Sequence, residues 1–353
     1  HCVLLLPCDG FFDQAITMNF EFSEEQQMLR EQARGFLTEH CSTSVVRAVL
    51  DSNEDWDAGL WKKVADMGWT ATVIPEAYGG LGLSYYELAI LAEEMGRSAA
   101  PLPFSSSLYL ASEAIRHFGN ESQKSEWLPK LASGECVATV AMAERAGRLV
   151  LDQLQTRRTD SQITGHKVPV ADASVADVAV VLARSDQGLE ACLVPLKQEG
   201  VVISPVLTFD TSRGHSAITF DRADAQALGN APLDPADWER VIDGAAVLFA
   251  WEQLGVAESA LIQARDYALQ RFAFGRAIGS YQAIKHKLAN MYVKNTLARS
   301  NAYYGVWALA EGSDELPLAA ATARVAAIQA AAYAAGENIQ AHGRMGFTWE
   351  FDC

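Results

Sequence analysis

The chain has 353 residues and a formal net charge of −16; half of its residues are apolar and about a fifth are charged. Its length exceeds that of one ordinary hydrophobic core, so two or three domains are expected. The composition is that of a folded soluble protein, not a disordered one. The acidic surface argues against nonspecific nucleic-acid binding, which needs clustered Lys and Arg.

The first seventeen residues are interpreted as a tail outside the fold. The apolar run at residues 2–7 has no basic segment before it and is too short to span a membrane. Met18 is followed at once by the start of a helix. The six cysteines contain no C-x-x-C pair, so their scatter fits reduced thiols in a cytosolic protein, and no metal site is predicted.

Residues 18–135 are predicted to form a helical domain. Ser23 and Gln26 have capping-box spacing, in which each side chain bonds the other residue's backbone N–H. Apolar residues then follow Leu29 at i+4, i+7 and i+8, which is a helical stripe. A Gly-rich turn occupies residues 78–82. Further helices are expected around residues 61–65 and over residues 86–95, 108–118 and 121–131.

Residues 136–230 show a different pattern, that of a small β domain. Short runs rich in β-branched and apolar residues alternate with turn signals, which is typical of a small barrel or sandwich. The runs occupy residues 178–182, 191–196, 200–203 and 217–220, with a turn at residues 185–188.

Residues 231–353 are predicted to form a helical bundle. Asp237 is placed as the cap of a long helix through about Tyr267, Ile284 lies early in a second helix, and Pro317 begins or precedes a third. An Ala-rich stretch there is interrupted by Arg324, so it predicts a packed helix and not a membrane span. The fold class is therefore α+β, mostly α, with helices, strands and helices in that order; without βαβ alternation, a doubly wound sheet is not expected.

Four separated segments carry a family resemblance. They are residues 22–37, residues 75–97 with the Gly-rich loop, residues 267–282 with Tyr…Arg-x-x-Phe-Gly, and residues 340–350 with Gln…Gly-x-x-Gly-Phe. In this order and spacing the chain over residues 18–353 resembles the acyl-CoA dehydrogenases, whose architecture is also helical, β and helical. The Thr-Trp-Glu ending is similar to that of a bacterial branch that includes heteromeric enzymes acting on steroid-side-chain and other unusual acyl thioesters.

The resemblance implies an FAD-dependent oxidation of the Cα–Cβ bond of an acyl-CoA to an enoyl-CoA, with electrons passed to an electron-transfer flavoprotein. This chemistry needs a base for the α-proton and the flavin as hydride acceptor. In the family FAD lies at a subunit interface, so a homo-oligomer or a heteromer with a second family member is implied. The acyl pocket is expected between the first bundle helix and residues 102–110, and the location is expected to be cytoplasmic.

The resemblance also assigns residues to the adenosine-diphosphate half of FAD. Arg271 matches the family arginine that contacts the pyrophosphate of a neighbouring subunit, where a planar guanidinium can bond two oxygens. Phe274 and Gln282 match positions that contact the adenosine half. The segment whose backbone N–H groups meet the diphosphate is matched by Gln340, Gly343 and Gly346, where glycine permits close approach.

The flavin-ring half departs from the family pattern. Met142 and Ala143 match the strand that reaches flavin N5, but Ala143 replaces the usual hydroxyl residue, and the following proline and serine are missing. Pro169 replaces an aromatic residue on a second strand. Two hypotheses therefore stay open: an active flavoenzyme, and a non-catalytic or half-site partner subunit of a heteromeric dehydrogenase. A different reaction on this scaffold, such as flavin monooxygenation, is a remote third.

The catalytic base has two possible origins in the family. Most members carry a Glu in a loop that would lie beyond Cys353, so the bundle is expected to be truncated here. Others place a Glu early in the first bundle helix, where this chain has Ala245. Glu252 lies two turns later and is the candidate base, because burial on an apolar helix face would raise its pKa. The alternative is a structural or interface carboxylate.

Overall fold

The computed structural model describes residues 22–52, 54–229 and 232–353, so the predicted tail at residues 1–17 lies outside the described residues. The first third is helical, as predicted. A π-helix, Ser105–Ser112, runs directly into the fifth helix. The helices are α1 (Glu24–His40), α2 (Thr43–Leu50), α3 (Ala58–Asp66), α4 (Tyr85–Arg97), α5 (Glu113–Phe118) and α6 (Glu121–Ala132).

The start of α1 confirms the predicted capping box. The Ser23 hydroxyl accepts from the Gln26 N–H at 3.2 Å, and the Gln26 side chain accepts from the Ser23 N–H at 3.0 Å. Helix α2 was not predicted, because its eight residues are too few to show a periodic pattern. In the Gly-rich turn, a Cβ on Gly80 would lie 1.9 Å from the Ile74 carbonyl oxygen, so glycine is required there.

The middle of the chain folds into one curled sheet of eight strands. The order is β6-β7-β3-β2-β4-β5-β8, and β1 pairs with β4 in parallel. The predicted turn at residues 185–188 is confirmed by the β4–β5 register, which ends at Ser185 opposite Gly188. The strands are β1 (Ala138–Ala141), β2 (Arg157–Thr159), β3 (Gln162–Ala171), β4 (Val178–Ser185), β5 (Gly188–Pro195), β6 (Val201–Pro205), β7 (His215–Asp224) and β8 (Gln226–Ala227).

Three long helices form the last third: α7 (Pro235–Gln270), α8 (Gln282–Ala310) and α9 (Leu316–His342). The prediction that Asp237 caps α7 is wrong. Asp234 is the cap, and its carboxylate accepts from the Ala236 N–H, so that Pro235 occupies the first turn, where its missing donor costs nothing. A short hairpin, β9 (Phe272–Ala273) and β10 (Arg276–Ala277), joins α7 to α8.

Two acidic residues on α4 hold the helical domain to the bundle. Glu93 is buried and accepts from Arg30 on α1 at 2.8 Å and from Arg299 on α8 at 2.7 Å. Glu94, also buried, accepts from Arg34 on α1. Burial opposes the charge of Glu93, but the arginines outweigh it and lower the pKa of its carboxyl. Glu93 and Glu94 together connect α4 to α1 and α8.

Two helical segments of the described chain, Pro235–Gln270 and Leu316–Met345, are long and apolar enough to cross a membrane. Both belong to the bundle, where α7 and α9 pack against each other along their length. Helices in the core of soluble proteins satisfy the same criterion, so this is weak evidence for a membrane span. Small residues, chiefly alanines, form the buried face of α9.

Candidate functional site

Glu252 lies in the middle of α7, on its side toward the other two domains. Its side chain is half-buried, and its carboxylate lies beside the Tyr109 hydroxyl. Burial raises the pKa of the Glu252 carboxyl, against the opposing charges of Arg213 and Arg324. The pKa is raised as predicted, but the surroundings are not apolar, because Arg213 and Arg324, which were not expected from the sequence, lie beside Glu252.

The β domain contributes a buried ion pair to this region. Arg213, in the loop before β7, donates to the Asp172 carboxylate and to the Ser105 hydroxyl. Asp172 is 2% exposed and also accepts from the Ser106 hydroxyl. Ser105 and Ser106 open the π-helix, so one ion pair fixes the π-helix against the sheet. Backbone distortions of this kind occur frequently at functional sites.

The π-helix and α9 contribute an aromatic and a cationic residue. The Tyr109 ring is fully buried and packs edge-on against Phe249 of α7, with 5.5 Å between centroids. The Arg324 guanidinium lies over the same Phe249 ring at 5.2 Å. Burial raises the pKa of Tyr109 well above its usual range, with a further contribution from the Glu252 charge. Phe249 precedes Glu252 by three residues, so all of these groups lie around one face of α7.

The predicted adenosine-diphosphate residues lie at the far end of the bundle. Arg271 caps the C-terminus of α7, Phe274 is 98% exposed at the tip of the β9–β10 hairpin, and Gln282 is exposed at the start of α8. Nineteen residues separate Glu252 from Arg271, which is about 28 Å along the helix axis. The structure therefore does not bring the candidate base and these residues together within one chain.

The second predicted diphosphate segment lies at the same end. His342, the last residue of α9, stacks on Tyr267 of α7 with 4.1 Å between ring centroids. Gly343 follows with φ +62, and Gly346 packs so closely that a Cβ would lie 2.3 Å from the Ile339 carbonyl oxygen. Gln340 is exposed on the last turn of α9. The structure thus brings the α7 and α9 segments to one end of the bundle.

The flavin-ring candidates follow β1 in the β domain. The Met142 carbonyl accepts from the buried Lys167 ammonium at 3.0 Å, and the Ala143 carbonyl accepts from the Val168 N–H at 2.8 Å. Lys167 also pairs with Glu144 at 3.1 Å, and burial lowers the pKa of the lysine to about 8. The segment is therefore held rigidly by its backbone, without the side-chain hydroxyl that the family uses.

Two open clefts lie elsewhere, near the N-terminal end of α7. The larger, of about 540 Å³, is lined by residues that include Tyr85, Arg116 and Val241. Glu113 is buried beside this cleft. Burial opposes its charge, but hydrogen bonds from His117, Arg116 and Tyr85 lower the pKa of the Glu113 carboxyl to about 2. Val241 lies eleven residues before Glu252, about 16 Å along α7, so these clefts are separate from the Glu252 region.

Four residues near Glu252 were not predicted as site residues. Asp172 stood in a segment compared with the family, and Arg324 was noticed only because it interrupts an Ala-rich helix. A lone arginine within an apolar helix was a usable signal for a buried charge. Tyr109 lies within residues 102–110, the segment predicted to line the acyl pocket, but was not singled out. Arg213 gave no local signal, because its proximity to α7 depends on how the domains pack. Among the described residues, no group of His, Cys, Asp or Glu side chains is arranged to hold a metal ion.

Family models match most of both helical domains. The model described as acyl-CoA dehydrogenase, N-terminal domain, covers residues 23–135, and the one described as acyl-CoA dehydrogenase, C-terminal domain, covers residues 239–353. A relative, acyl-CoA dehydrogenase IpdE2 of Mycobacterium tuberculosis, is 33% identical over 93% of this chain and 88% of its own length. The chain belongs to the acyl-CoA dehydrogenase family. The family predicted from the four sequence segments is confirmed.

Solved structures of acyl-CoA dehydrogenase type share the whole fold. The ChsE4-ChsE5 complex from Mycobacterium tuberculosis has a chain 26% identical, with a TM-score of 0.85 over 94% of this chain and 90% of that chain. The Tcur3481-Tcur3483 steroid ACAD has a chain 29% identical, with a TM-score of 0.84 over 93% of this chain and 90% of that one. Both likenesses confirm the predicted order of helical, β and helical domains.

Proposed function

We propose that this acyl-CoA dehydrogenase family member takes part in the FAD-dependent α,β-dehydrogenation of an acyl-CoA thioester, with electrons passed to an electron-transfer flavoprotein. The observation that carries the proposal is the half-buried, unpaired Glu252 in a family member, placed where the three domains meet. Its substrates are proposed to be acyl thioesters of lipid or steroid origin, because one structural neighbour is described as a steroid ACAD. The proposed location is cytoplasmic.

The residues at the end of the bundle fit the adenosine-diphosphate half of FAD. Arg271 supplies a cation, Phe274 an exposed aromatic face, and Gly343 an exposed backbone with no atom within 4 Å of its Cβ position, whereas Gly346 is buried against Ile339. When bound, FAD supplies the acceptor for the β-hydride. Because Phe274 and Arg271 face outward, they support contacts with a cofactor shared with a neighbouring subunit.

The proposed role of Glu252 is to take the α-proton of the thioester. Its carboxyl is shielded from bulk water, which raises its pKa toward the range in which a general base works near neutral pH. Asp172 reinforces the increase, while Arg213 and Arg324 limit it. Glu252 lies about 10 Å further along α7 than Ala245, the family position, so the substrate would have to reach correspondingly deeper.

A second candidate function is supported by the altered flavin-ring contacts. Ala143 has no hydroxyl, Pro169 has replaced an aromatic residue, and Ala245 is a buried alanine without a carboxylate. A partner subunit of a heteromeric dehydrogenase would keep the outward-facing Arg271 end and dispense with its own flavin-ring contacts. A structural neighbour is itself described as a complex of two named chains, ChsE4 and ChsE5.

The two candidates are separated by reconstitution. The chain is purified alone and after co-expression with a second family member, FAD is added, and the visible absorbance spectrum is recorded before and after acyl-CoA. We expect a yellow protein that is bleached by acyl-CoA in at least one preparation. A homogeneous yellow homo-oligomer with full activity would exclude the partner-subunit role. Protein that stays colourless in both preparations would exclude the proposed function.

A further inference from the structure

Five polar residues from all three domains meet around one face of α7, and we call them the junction cluster. Tyr109 comes from the π-helix, Asp172 and Arg213 from the β domain, Glu252 from α7 and Arg324 from α9. Polar groups gathered at such a place lose contact with water, so each needs a partner inside the protein.

Three donors of the junction cluster have no such partner. The Arg324 Nη1 and the Arg213 Nε are buried and find no hydrogen-bond acceptor among the residues that the structure describes, and the buried Tyr109 hydroxyl faces the Glu252 carboxylate without forming a hydrogen bond of ordinary geometry. Leaving a buried donor unpaired costs about 1–3 kcal/mol each. A site with several of these groups is therefore suited to receiving an acceptor from outside the chain.

Two of the donors lie against the same ring. Tyr109 meets Phe249 edge-on at 5.5 Å, and the Arg324 guanidinium lies over Phe249 at 5.2 Å. Both donors also lie around Glu252, whose charge affects the pKa of each. Ring packing fixes Tyr109 in place, because Phe104 also meets it edge-on at 5.8 Å. The donors are consequently ordered before any ligand arrives, which reduces the entropy lost on binding.

The charges of the junction cluster leave Arg324 without a direct counter-ion. Arg213 is paired with Asp172, whereas Arg324 forms no ion pair within 4.0 Å in the described part of the chain. Burial lowers the pKa of Arg324, and Glu252 opposes that effect. Glu252 lies close enough to affect Arg324 but forms no ion pair with it within 4.0 Å in the described residues. An oxygen acceptor beside Arg324 would therefore be favourable.

We propose that the acyl group of the substrate carries a hydrogen-bond-accepting oxygen, and that Arg324 and Tyr109 donate to it. The inference rests on the proposed function, in which the acyl pocket lies between α7 and residues 102–110, where the junction cluster is found. A plain alkyl chain would leave both donors unpaired. A carboxylate or a ketone oxygen would pair them, and the two are distinguished by experiment.

The test compares three acyl-CoA thioesters of equal chain length on the assembled holoprotein: a plain alkanoyl-CoA, an oxo-acyl-CoA and an ω-carboxyacyl-CoA. Dissociation constants are measured by isothermal titration calorimetry. We expect at least one oxygenated thioester to bind about tenfold or more tightly than the alkanoyl-CoA, as bonds from a charged donor allow. A preference for the carboxylate identifies an anionic acyl group, and one for the ketone identifies a neutral acceptor.

Two variants locate the preference. Arg324→Met keeps length and removes the charge, and it should abolish the preference while alkanoyl-CoA binding is retained. Tyr109→Phe removes only an unpaired buried hydroxyl, so it should lower the preference severalfold without lowering the melting temperature. Arg222→Met, on the exposed surface of β7, is the control and should change neither quantity. If Arg324→Met fails to fold, the binding preference of Tyr109→Phe still tests the inference.

Equal affinity of the wild type for all three thioesters would overturn the inference and leave the proposed function intact. A preference that survives both variants would overturn the assignment to Arg324 and Tyr109. Absence of binding by every acyl-CoA would instead overturn the proposed function, and the inference with it. Different results would therefore overturn the proposed function and the inference about the acyl oxygen.

Discussion

At the scale of single residues, the direction of the pKa shift of a buried carboxyl distinguishes a candidate site residue from a structural one. Glu93 and Glu252 are both carboxylates with arginines nearby, yet the pKa of Glu93 is lowered and that of Glu252 is raised. Glu93 accepts directly from two guanidinium groups, so its charged form is stabilised. Glu252 has arginines nearby but no direct bond, so desolvation prevails. The geometry of the partner, more than burial alone, decides the outcome.

Glu252→Gln tests the proposed base. We expect kcat of the assembled enzyme to fall at least about 100-fold with little change in KM, because the variant keeps the shape and loses proton transfer. A base acts only when deprotonated, so wild-type activity should decline as pH falls through the raised pKa of Glu252. The acidic limb of the kcat/KM profile should consequently lie above about 4.3, the value of an ordinary glutamate.

Glu258→Gln is the matched control on the same helix. The Glu258 side chain is partly exposed, and its carboxylate oxygen lies 3.9 Å from the Arg299 guanidinium, which is a long ion pair. The variant should leave kcat nearly unchanged.

The raised pKa of Glu252 also affects stability. The folded chain binds a proton at the Glu252 carboxyl more readily than the unfolded chain does, so the free energy of unfolding of the wild type falls as pH rises from the unfolded to the folded pKa. Glu252→Gln should lack that decline. A near-normal kcat in Glu252→Gln would remove Glu252 from the catalytic role.

At the scale of elements, α4 and α7 are in backbone contact through two glycines. A Cβ on Gly96 of α4 would lie 1.8 Å from the Glu252 carbonyl oxygen, and a Cβ on Gly255 of α7 would lie 1.9 Å from the Glu93 carbonyl oxygen. These reciprocal contacts place the Glu252 turn of α7 against the end of α4. The glycines therefore control the position of the candidate base.

Gly255→Ala should destabilise the protein by about 1–3 kcal/mol, since the new methyl group overpacks two helices that have no room to separate. The free energy of unfolding is measured by denaturant titration. Gly35→Ala on α1 is the control: no atom lies within 4 Å of its Cβ position, so removing a helical glycine should stabilise by about 0.5–1 kcal/mol. Equal stability of the two variants would show that the close contact is relieved easily.

At the scale of the whole molecule, the bundle carries an exposed apolar surface that a monomer would not need. Leu269, Phe272 and Phe274 at the end of α7 and in the hairpin are each more than half exposed, as is Phe347 after α9. Exposed apolar residues in this number near one end of a bundle favour association with another subunit. The surface includes the residues predicted for FAD, which agrees with a cofactor bound between subunits.

Phe274→Ser should weaken both association and FAD retention, because it removes an exposed aromatic face without disturbing the core. Mass by light scattering and the ratio of flavin to protein after gel filtration are the measurements. Phe209→Ser is the control, as Phe209 is equally exposed but lies in the β domain. Unchanged mass and flavin content in Phe274→Ser would place the interface elsewhere.

The sequence by itself determined the family, the order of the domains and most helices. These depend on local patterns, such as the Ser23–Gln26 capping box and the glycine requirement at Gly80, which nearby residues dictate. The sequence also contained the candidate base Glu252, although its role stays a prediction. Short elements such as α2 and the exact cap of α7 were missed, because few residues carry too little periodicity.

Only the tertiary structure decided the surroundings of Glu252. Tyr109, Arg213 and Arg324 are separated from it by 143, 39 and 72 residues in the chain. No local pattern relates them, since their meeting depends on how the π-helix, the sheet and α9 pack against α7.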